Sequence, residues 1–280
     1  MDVIGEYTIK DFPRNRLGIV DYLDEAQKRH TITGLFEVDI TKAREWIKNY
    51  KNDTGTAISF TGWICWCIGK ILEAKNEIHA VRKGRSKLVV FKDVDITIQV
   101  ERTLKGKKIP LPYVLRKVNH KSVLEITQEI RSVQTQTFDD QNIQVLGNRR
   151  RLRYLARIGV YLPKFIRARF WKRVVWNPFS LKKLSGLVSV TSVGMFGNFG
   201  WAIPLSGFPI SIAIGGMGKK PGIVNNAILI RDYLALTLQF DHDIIDGAPA
   251  TRFSAILVDY LETARGLEFI SENESKNNQN

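Results

Sequence analysis

The hydrophobic pattern of the chain changes its period near the C-terminus, from every second residue to every third or fourth. Over 234–240, leucine and phenylalanine alternate with alanine, threonine and glutamine, which predicts a strand. Over 253–261, apolar residues recur at the spacings of one helical face, which predicts a helix. His242 therefore follows a strand, while Asp246 and Gly247 stand where a helix begins. Corners of this kind expose side chains that the flanking elements hold rigidly, so this one is a candidate site for chemistry.

Strand and helix patterns alternate through the rest of the chain. In order, they predict a helix over 16–29, a strand over 31–40, a helix over 41–50 capped by Thr41, a buried helix over 60–72, a strand over 88–100, an edge strand over 109–115, a helix opened by Ser122 and Glu125, and a strand over 187–193. This alternation predicts an α/β fold with one principal sheet. Because no repeat and no Gly/Ser-rich linker divides the chain, we predict a single domain over 1–270 and a disordered polar tail over 271–280.

Positive charge is concentrated in one segment. Residues 141–185 contain twelve Lys or Arg and no Asp or Glu, so they carry +12 of the net charge of +14. The segment has apolar residues on one helical face and a break at Pro163, which predicts two basic helices with interleaved aromatic residues. We predict that these helices form a surface insertion over 148–176. Such helices suit an anionic membrane surface, but an insertion packed on its own domain with solvated arginines fits the pattern equally well. No nucleic-acid-binding module surrounds the charge, so nucleic acid is not expected as a partner.

The remaining composition is that of an ordinary globular protein, with 44% hydrophobic and 25% charged residues. Cys65 and Cys67 lie in an apolar run without further metal ligands, which favours two core residues over a zinc pair, and no metal is expected. The sequence contains no recognisable signal peptide and no apolar run long enough to span a bilayer. We therefore expect a cytoplasmic protein, with peripheral attachment to the inner membrane face as the alternative.

The corner carries the pattern His-x-x-x-Asp-Gly, formed by His242, Asp246 and Gly247. Histidine can accept a proton and return it near neutral pH, as a general base does. A carboxylate at a helix start is favoured by the helix dipole and can bind an arginine. By itself the pattern also fits a hydrogen-bonded histidine in a turn.

Two motifs give the corner a wider context. The corner motif over 240–247 and the motif Thr-Ser-Val-Gly-Met-Phe-Gly over 191–197 lie in a segment, 188–262, that resembles the catalytic domain of the dihydrolipoamide acyltransferases. Those enzymes share a fold and the corner histidine with chloramphenicol acetyltransferase. Residues 12–138 resemble the family more loosely. The resemblance implies a chloramphenicol-acetyltransferase-like mixed sheet with flanking helices, and a homotrimer with active sites between subunits.

The resemblance also implies roles for four residues. His242 would be the general base that activates a hydroxyl or thiol acceptor. Thr191, where the family has a serine, would donate to the oxyanion. Asp246 would form an ion pair with Arg16, which matches the arginine at the start of the family's first helix. The acyl donor would be a coenzyme A thioester or a carrier-bound thioester.

The sequence departs from the family in several respects. Asp243 replaces the arginine that usually follows the histidine, which puts the usual substrate in doubt. Asp241 and Asp243 should both point away from the face of His242 and contribute less than their proximity suggests. The connection over 141–185 is longer than in the family, and its partner could be an anionic bilayer, an acidic carrier protein or the phosphates of coenzyme A.

No lipoyl attachment site precedes the domain, so a role in a 2-oxo acid dehydrogenase complex would need that group from another chain. The alternative function is a non-catalytic trimeric scaffold that is membrane-associated through the insertion.

Overall fold

The computed structural model describes residues 4–104, 107–135, 161–194, 200–268 and 270. Its helices are α1 (Leu17–Ala26), α2 (Thr41–Thr54), α3 (Phe60–Ala74), α4 (Val123–Thr135), α5 (Lys164–Trp176), α6 (Pro178–Ser185) and α7 (Gly247–Glu262). Its strands are β1 (Thr31–Asp39), β2 (Ala80–Lys83), β3 (Lys87–Val90), β4 (Ile96–Leu104), β5 (Lys107–Leu115), β6 (Val188–Ser192), β7 (Ile210–Val224) and β8 (Ala227–Asp241).

Six strands form one mixed sheet in the order β1-β8-β7-β6-β4-β5, and β2 pairs with β3 in a separate hairpin. Strand β6 is parallel to both of its neighbours, β4 and β7, while the other pairs are antiparallel. The predicted α/β fold with one principal mixed sheet and flanking helices is confirmed.

The two faces of the sheet differ in polarity because side chains alternate along each strand. On one face, isoleucine and leucine side chains of β4, β7 and β8 pack against α3, α4 and α7, with Trp63 and Phe253 fully buried between them. On the other face the buried side chains of β7 and β8 include Ser211, Thr237 and Asp241. This second, polar face leads along β8 to the histidine corner.

Most predicted elements are confirmed. Strand β1 matches the expected bounds to one residue, and β5 with its two prolines lies at the edge of the sheet. The Ser122 hydroxyl accepts from the amide of Glu125, and the Glu125 carboxylate accepts from the amide of Ser122 at 2.7 Å, which is the predicted capping box. Cys65 and Cys67 are buried core residues of α3.

Two predictions were wrong. The strand expected over 88–100 is two strands in different sheets, β3 ending at Val90 and β4 beginning at Ile96. Between them, the Val94 amide donates to Asn119 at 2.9 Å and the Asp95 carboxylate accepts from the Lys117 amide at 2.8 Å, so these residues bond to a turn and not to a strand. Thr41 does not cap α2 but lies inside it, and its amide donates to the Asp39 carboxylate at 3.0 Å. The first of the two predicted basic helices lies outside the described residues, whereas the second is α5 and begins directly after Pro163.

Helix α5 packs against α1, whose facing side is acidic. Arg167 Nε lies 2.6 Å from Asp21, and Trp176 Nε1 donates to Glu25 at 3.2 Å. Trp171 meets Tyr22 edge to face with ring centroids 5.4 Å apart. The described part of the insertion is therefore packed on its own domain through aromatic and charged contacts.

Within the described ranges, no helix is both long and apolar enough to cross a bilayer. The same residues contain no group of three or more His, Cys, Asp or Glu side chains placed to hold a metal ion.

Candidate active site

The corner between β8 and α7 brings two of the predicted site residues together. The imidazole of His242 is 45% exposed, and its Nδ1 lies 3.8 Å from Oδ1 of Asp246. Asp246 is the N-cap residue of α7, but its carboxylate makes no capping hydrogen bond and is 86% exposed. The His242 amide donates to the carbonyl of His30 at 2.6 Å, which ties the corner to the start of β1. The backbone of the histidine is thus fixed while its ring stays accessible.

A buried ion pair holds the corner from its other side. Arg29, just after α1, binds the carboxylate of Asp241, and both side chains are only 2% exposed. The second oxygen of Asp241 accepts from the Asp243 amide at 3.1 Å. Because Asp241 directly precedes His242, this pair fixes the end of β8 at the position where the histidine emerges.

The remaining donors of Arg29 are also used. Its Nε donates to the carbonyl of Gly207 at 2.9 Å, and Nη2 donates to the carbonyl of Val175 at 2.8 Å. Its guanidinium lies over the ring of Trp176, 5.0 Å from the centroid. A buried charge is tolerated only when its hydrogen bonds are satisfied, and Arg29 meets that condition with contacts from three segments of the chain.

Asp243 sits in a second, more exposed cluster beside the histidine. Its carboxylate lies 2.7 Å from Nδ1 of His30 and 3.4 Å from Nη1 of Arg82 on β2. The hydrogen bond from the His30 ring is the main reason why the pKa of Asp243 is below its usual value. Both neighbours of His242 are therefore bound to cations of other elements.

The expected ion pair between Arg16 and Asp246 is not formed within the described part of one chain. Among ion pairs formed within the described chain, Asp246 has His242 as its partner, and no Arg16–Asp246 pair occurs. Arg16 precedes α1, so the ten residues of that helix, about 15 Å at 1.5 Å per residue, separate it from Arg29. Two other arginines reach the corner: Arg29 binds Asp241, which the sequence analysis had expected to contribute little, and Arg82 lies 3.4 Å from Asp243.

Thr191 lies far from His242 within one chain. In the register of the sheet, Thr191 on β6 is opposite Ala213 on β7, and Ala213 is opposite Thr237 on β8. From Thr237 to His242 the chain advances five residues, roughly 16 Å, and two strand spacings add roughly 10 Å sideways, which gives a separation of about 19 Å. The structure therefore brings His242 and Asp246 together but leaves Thr191 elsewhere, and residues 195–197 of its motif lie outside the described part of the chain.

Four residues at the corner were missed or undervalued: His30, Arg29, Arg82 and Asp241. One signal was available in the sequence. Strand alternation places Asp241 on the inner polar face, and a carboxylate buried on a strand needs a cationic partner. Which cation supplies it depends on long-range packing, which local patterns do not contain.

The fold matches solved structures of acyltransferases. The chain superimposes on the cubic core of the pyruvate dehydrogenase multienzyme complex with a TM-score of 0.66 at 19% identity, covering 95% of this chain and 97% of that one. It superimposes on a chloramphenicol acetyltransferase with a TM-score of 0.50 at 12% identity, covering 91% and 98% of the two chains. The predicted chloramphenicol-acetyltransferase-like fold is confirmed.

Sequence comparison gives a narrower result. The chain is 27% identical over 264 residues to the dihydrolipoyllysine-residue succinyltransferase component of the mitochondrial 2-oxoglutarate dehydrogenase complex of Saccharomyces cerevisiae, covering 90% of this chain and 47% of that protein. The chain spans about half the length of the curated relatives it matches. The family model for the catalytic domain of 2-oxoacid dehydrogenase acyltransferases matches residues 5–143 and 180–268, which is well over half of the chain. The chain therefore belongs to the 2-oxoacid dehydrogenase acyltransferase family, as a catalytic domain with the histidine corner described above.

Proposed function

We propose that the protein transfers an acyl group between coenzyme A and a thiol acceptor, with His242 as the general base. The observation that carries this proposal is the corner itself: an accessible imidazole on a rigid backbone, with a carboxylate 3.8 Å from Nδ1. A proton on Nδ1, directed towards Asp246, leaves the lone pair of Nε2 free to accept another. The acceptor we favour is a dihydrolipoyl group, because the curated relatives are named as dihydrolipoyllysine-residue acyltransferases.

The proposed reaction has two balanced steps. First, Nε2 of His242 takes the proton of the attacking thiol while the sulfur forms a bond to the thioester carbonyl carbon, which gives a tetrahedral oxyanion and an imidazolium. Then the bond from that carbon to the sulfur of coenzyme A breaks, and the departing thiolate takes the proton back from His242. A hydroxyl donor placed against the oxyanion typically contributes about 3 kcal/mol to such a step, which is the role we assign to Thr191.

We further propose that the working form is a homotrimer in which His242 of one subunit meets Thr191 of the next. The separation of about 19 Å within one chain supports this arrangement, since a donor must lie within hydrogen-bond distance of the oxyanion. Exposed apolar residues support it as well: at the tip of the β7–β8 hairpin, Ile223, Ile228 and Ile230 are 80%, 76% and 75% exposed. Apolar side chains clustered in this way are typical of a surface that a partner covers.

The test is acyl transfer from acetyl- or succinyl-coenzyme A to dihydrolipoamide by the purified protein. We expect turnover, and we expect His242→Ala to lower kcat by at least about 100-fold while the circular dichroism spectrum is unchanged. The control is Lys48→Gln on the exposed side of α2, which should retain full activity. Asn119→Gln is not a suitable control, because it changes a buried amide. Near-wild-type turnover in His242→Ala would reject the mechanism. No turnover with either thioester would favour the non-catalytic scaffold.

A further inference from the structure

A surface cavity of about 390 Å³ lies between the turn of the β2–β3 hairpin and the junction of α5 with α6. Its lining includes four cationic side chains, those of Lys83, Arg169, Lys172 and Arg173, together with the ring of Trp176. Among the described residues that line it, none carries a carboxylate. The cavity is therefore strongly positive and carries one flat aromatic surface.

The cations of the cavity differ from those on the other side of the same helix. Lys164 and Arg167 of α5 form ion pairs with Asp24 and Asp21 of α1. By contrast, none of the four lining cations takes part in an ion pair between described residues, and Lys83 contacts the ring of Phe179 instead. Unpaired cations that converge on one cavity raise its potential and attract anions.

The cavity adjoins the histidine corner on two sides. Trp176 in its wall packs on Arg29, whose guanidinium binds Asp241. Lys83 follows Arg82, whose Nη1 lies 3.4 Å from Asp243. The cavity is therefore linked to both residues that flank His242, to Asp241 through Arg29 and to Asp243 through Arg82.

Most of the cavity belongs to a part of the chain that the family does not share. The family model ends at residue 143 and resumes at residue 180, so all of α5, including Arg169 and Lys172, falls in the gap. Of the four lining cations found in the described part of the chain, Lys83 of the hairpin lies within the matched ranges and the other three do not. The site is thus an addition of this chain to the shared catalytic domain.

We propose that this cavity binds the oligophosphate group of a small molecule. Arginine and lysine are the side chains that bind phosphate oxygens, and two arginines can do so with paired donors. The volume is in the range of small-ligand sites, about 300–1,000 Å³, and a concave cavity suits a compact anion better than a flat membrane or protein surface does. Given the proposed function, from which this identification follows, the ligand is the phosphate-bearing nucleotide end of the coenzyme A donor.

The test is equilibrium binding by the 280-residue chain, measured calorimetrically at low salt with coenzyme A and, separately, with inorganic pyrophosphate. We expect both to bind and to compete with each other. In the double variant Arg169→Gln/Lys172→Gln we expect the Kd of both to rise at least about tenfold. The matched control, Lys48→Gln/Lys51→Gln on α2, removes the same charge from exposed positions outside the cavity and should leave the Kd within about twofold.

Three outcomes would overturn the proposal. The first is unchanged binding in the cavity variant, and the second is an equal loss of binding in the control variant. The third comes from a parallel measurement with vesicles of phosphatidylcholine and phosphatidylserine: the protein binds the vesicles but binds neither pyrophosphate nor coenzyme A. Acetyl-pantetheine, a donor without the nucleotide, gives a further readout: its kcat/KM should be the same in wild type and cavity variant, whereas the KM for acetyl-coenzyme A rises. Because binding is measured without turnover, an inactive protein that still binds pyrophosphate would reject the proposed function and leave this site intact.

Discussion

The histidine corner and helix α5 lie side by side and use the same kinds of charged residue in opposite ways. At the corner, Arg29 and Asp241 are buried and paired, and each nitrogen of the Arg29 guanidinium donates a hydrogen bond, so their charges fix a geometry. On α5, Arg169 and Lys172 project into an open cavity without a carboxylate, so their charges remain available to a ligand. The corner lies in the range matched by the family and α5 does not. A buried pair serves positioning, while an unpaired exposed cluster serves binding.

The largest effect expected from this comparison is on stability at the corner. Asp241→Ala should lower the free energy of unfolding by about 3–5 kcal/mol, because it leaves the buried guanidinium of Arg29 without its carboxylate. The measurement is urea-induced unfolding. Asp243→Ala, two residues on, removes a more exposed carboxylate and should cost about 1 kcal/mol or less. Equal losses in the two variants would show that burial does not distinguish the two clusters.

A smaller effect is expected from His79, a buried histidine just before β2. Burial lowers its pKa from 6.5 to about 4, so the folded protein keeps this ring neutral at pH values where the unfolded chain protonates it. Stability should therefore fall as pH drops from about 6.5 towards 4, by up to about 3 kcal/mol from this residue. Unfolding curves at several pH values for wild type and His79→Gln provide the test. If the pH dependence is the same in both proteins, His79 is not its source.

The smallest expected effect on the free energy of unfolding comes from Asp243 at acid pH. Its pKa is lowered mainly by the His30 hydrogen bond, so its contribution to stability is present above the unfolded pKa of about 3.9 and is lost as pH falls through the lower folded value. We expect Asp243→Asn to remove this acid-sensitive part, which is about 1 kcal/mol or less for such a partly exposed pair. Wild type and variant should then converge in stability at low pH. A gap that persists in acid would contradict the assignment.

The elements that local patterns specify were predictable from the sequence. Strand β8, helix α7 and the capping box at Ser122 each depend on spacing over a few residues, and all three are confirmed. His242 and Asp246 could be identified from the sequence because both lie in the short segment between β8 and α7. The β2–β3 hairpin was missed because the apolar pattern continues from 88 to 100 as if it were one strand. Contacts of Val94 and Asp95 with Asn119 and Lys117, which are distant in sequence, lie between β3 and β4.

The partners of the corner could not be predicted in the same way. Arg29 is 212 positions from Asp241 along the chain, and nothing local distinguishes it from Arg16, which starts the same helical region. The relation of Thr191 to His242 depends on the register of three strands. The Arg29–Asp241 pair and the distance between Thr191 and His242 both depend on tertiary structure, so local sequence patterns do not contain them.

The central claim, that His242 of one subunit works with Thr191 of another, is tested most directly by subunit mixing. His242→Ala and Thr191→Val, each nearly inactive alone, are mixed, exchanged under mild denaturation and assayed for acyl transfer. In random mixed trimers about a quarter of the sites combine an intact histidine with an intact threonine, so we predict recovery of about a quarter of wild-type activity. If the mixture is no more active than the two variants separately, even though exchange of subunits is verified by mass spectrometry, the shared site is contradicted.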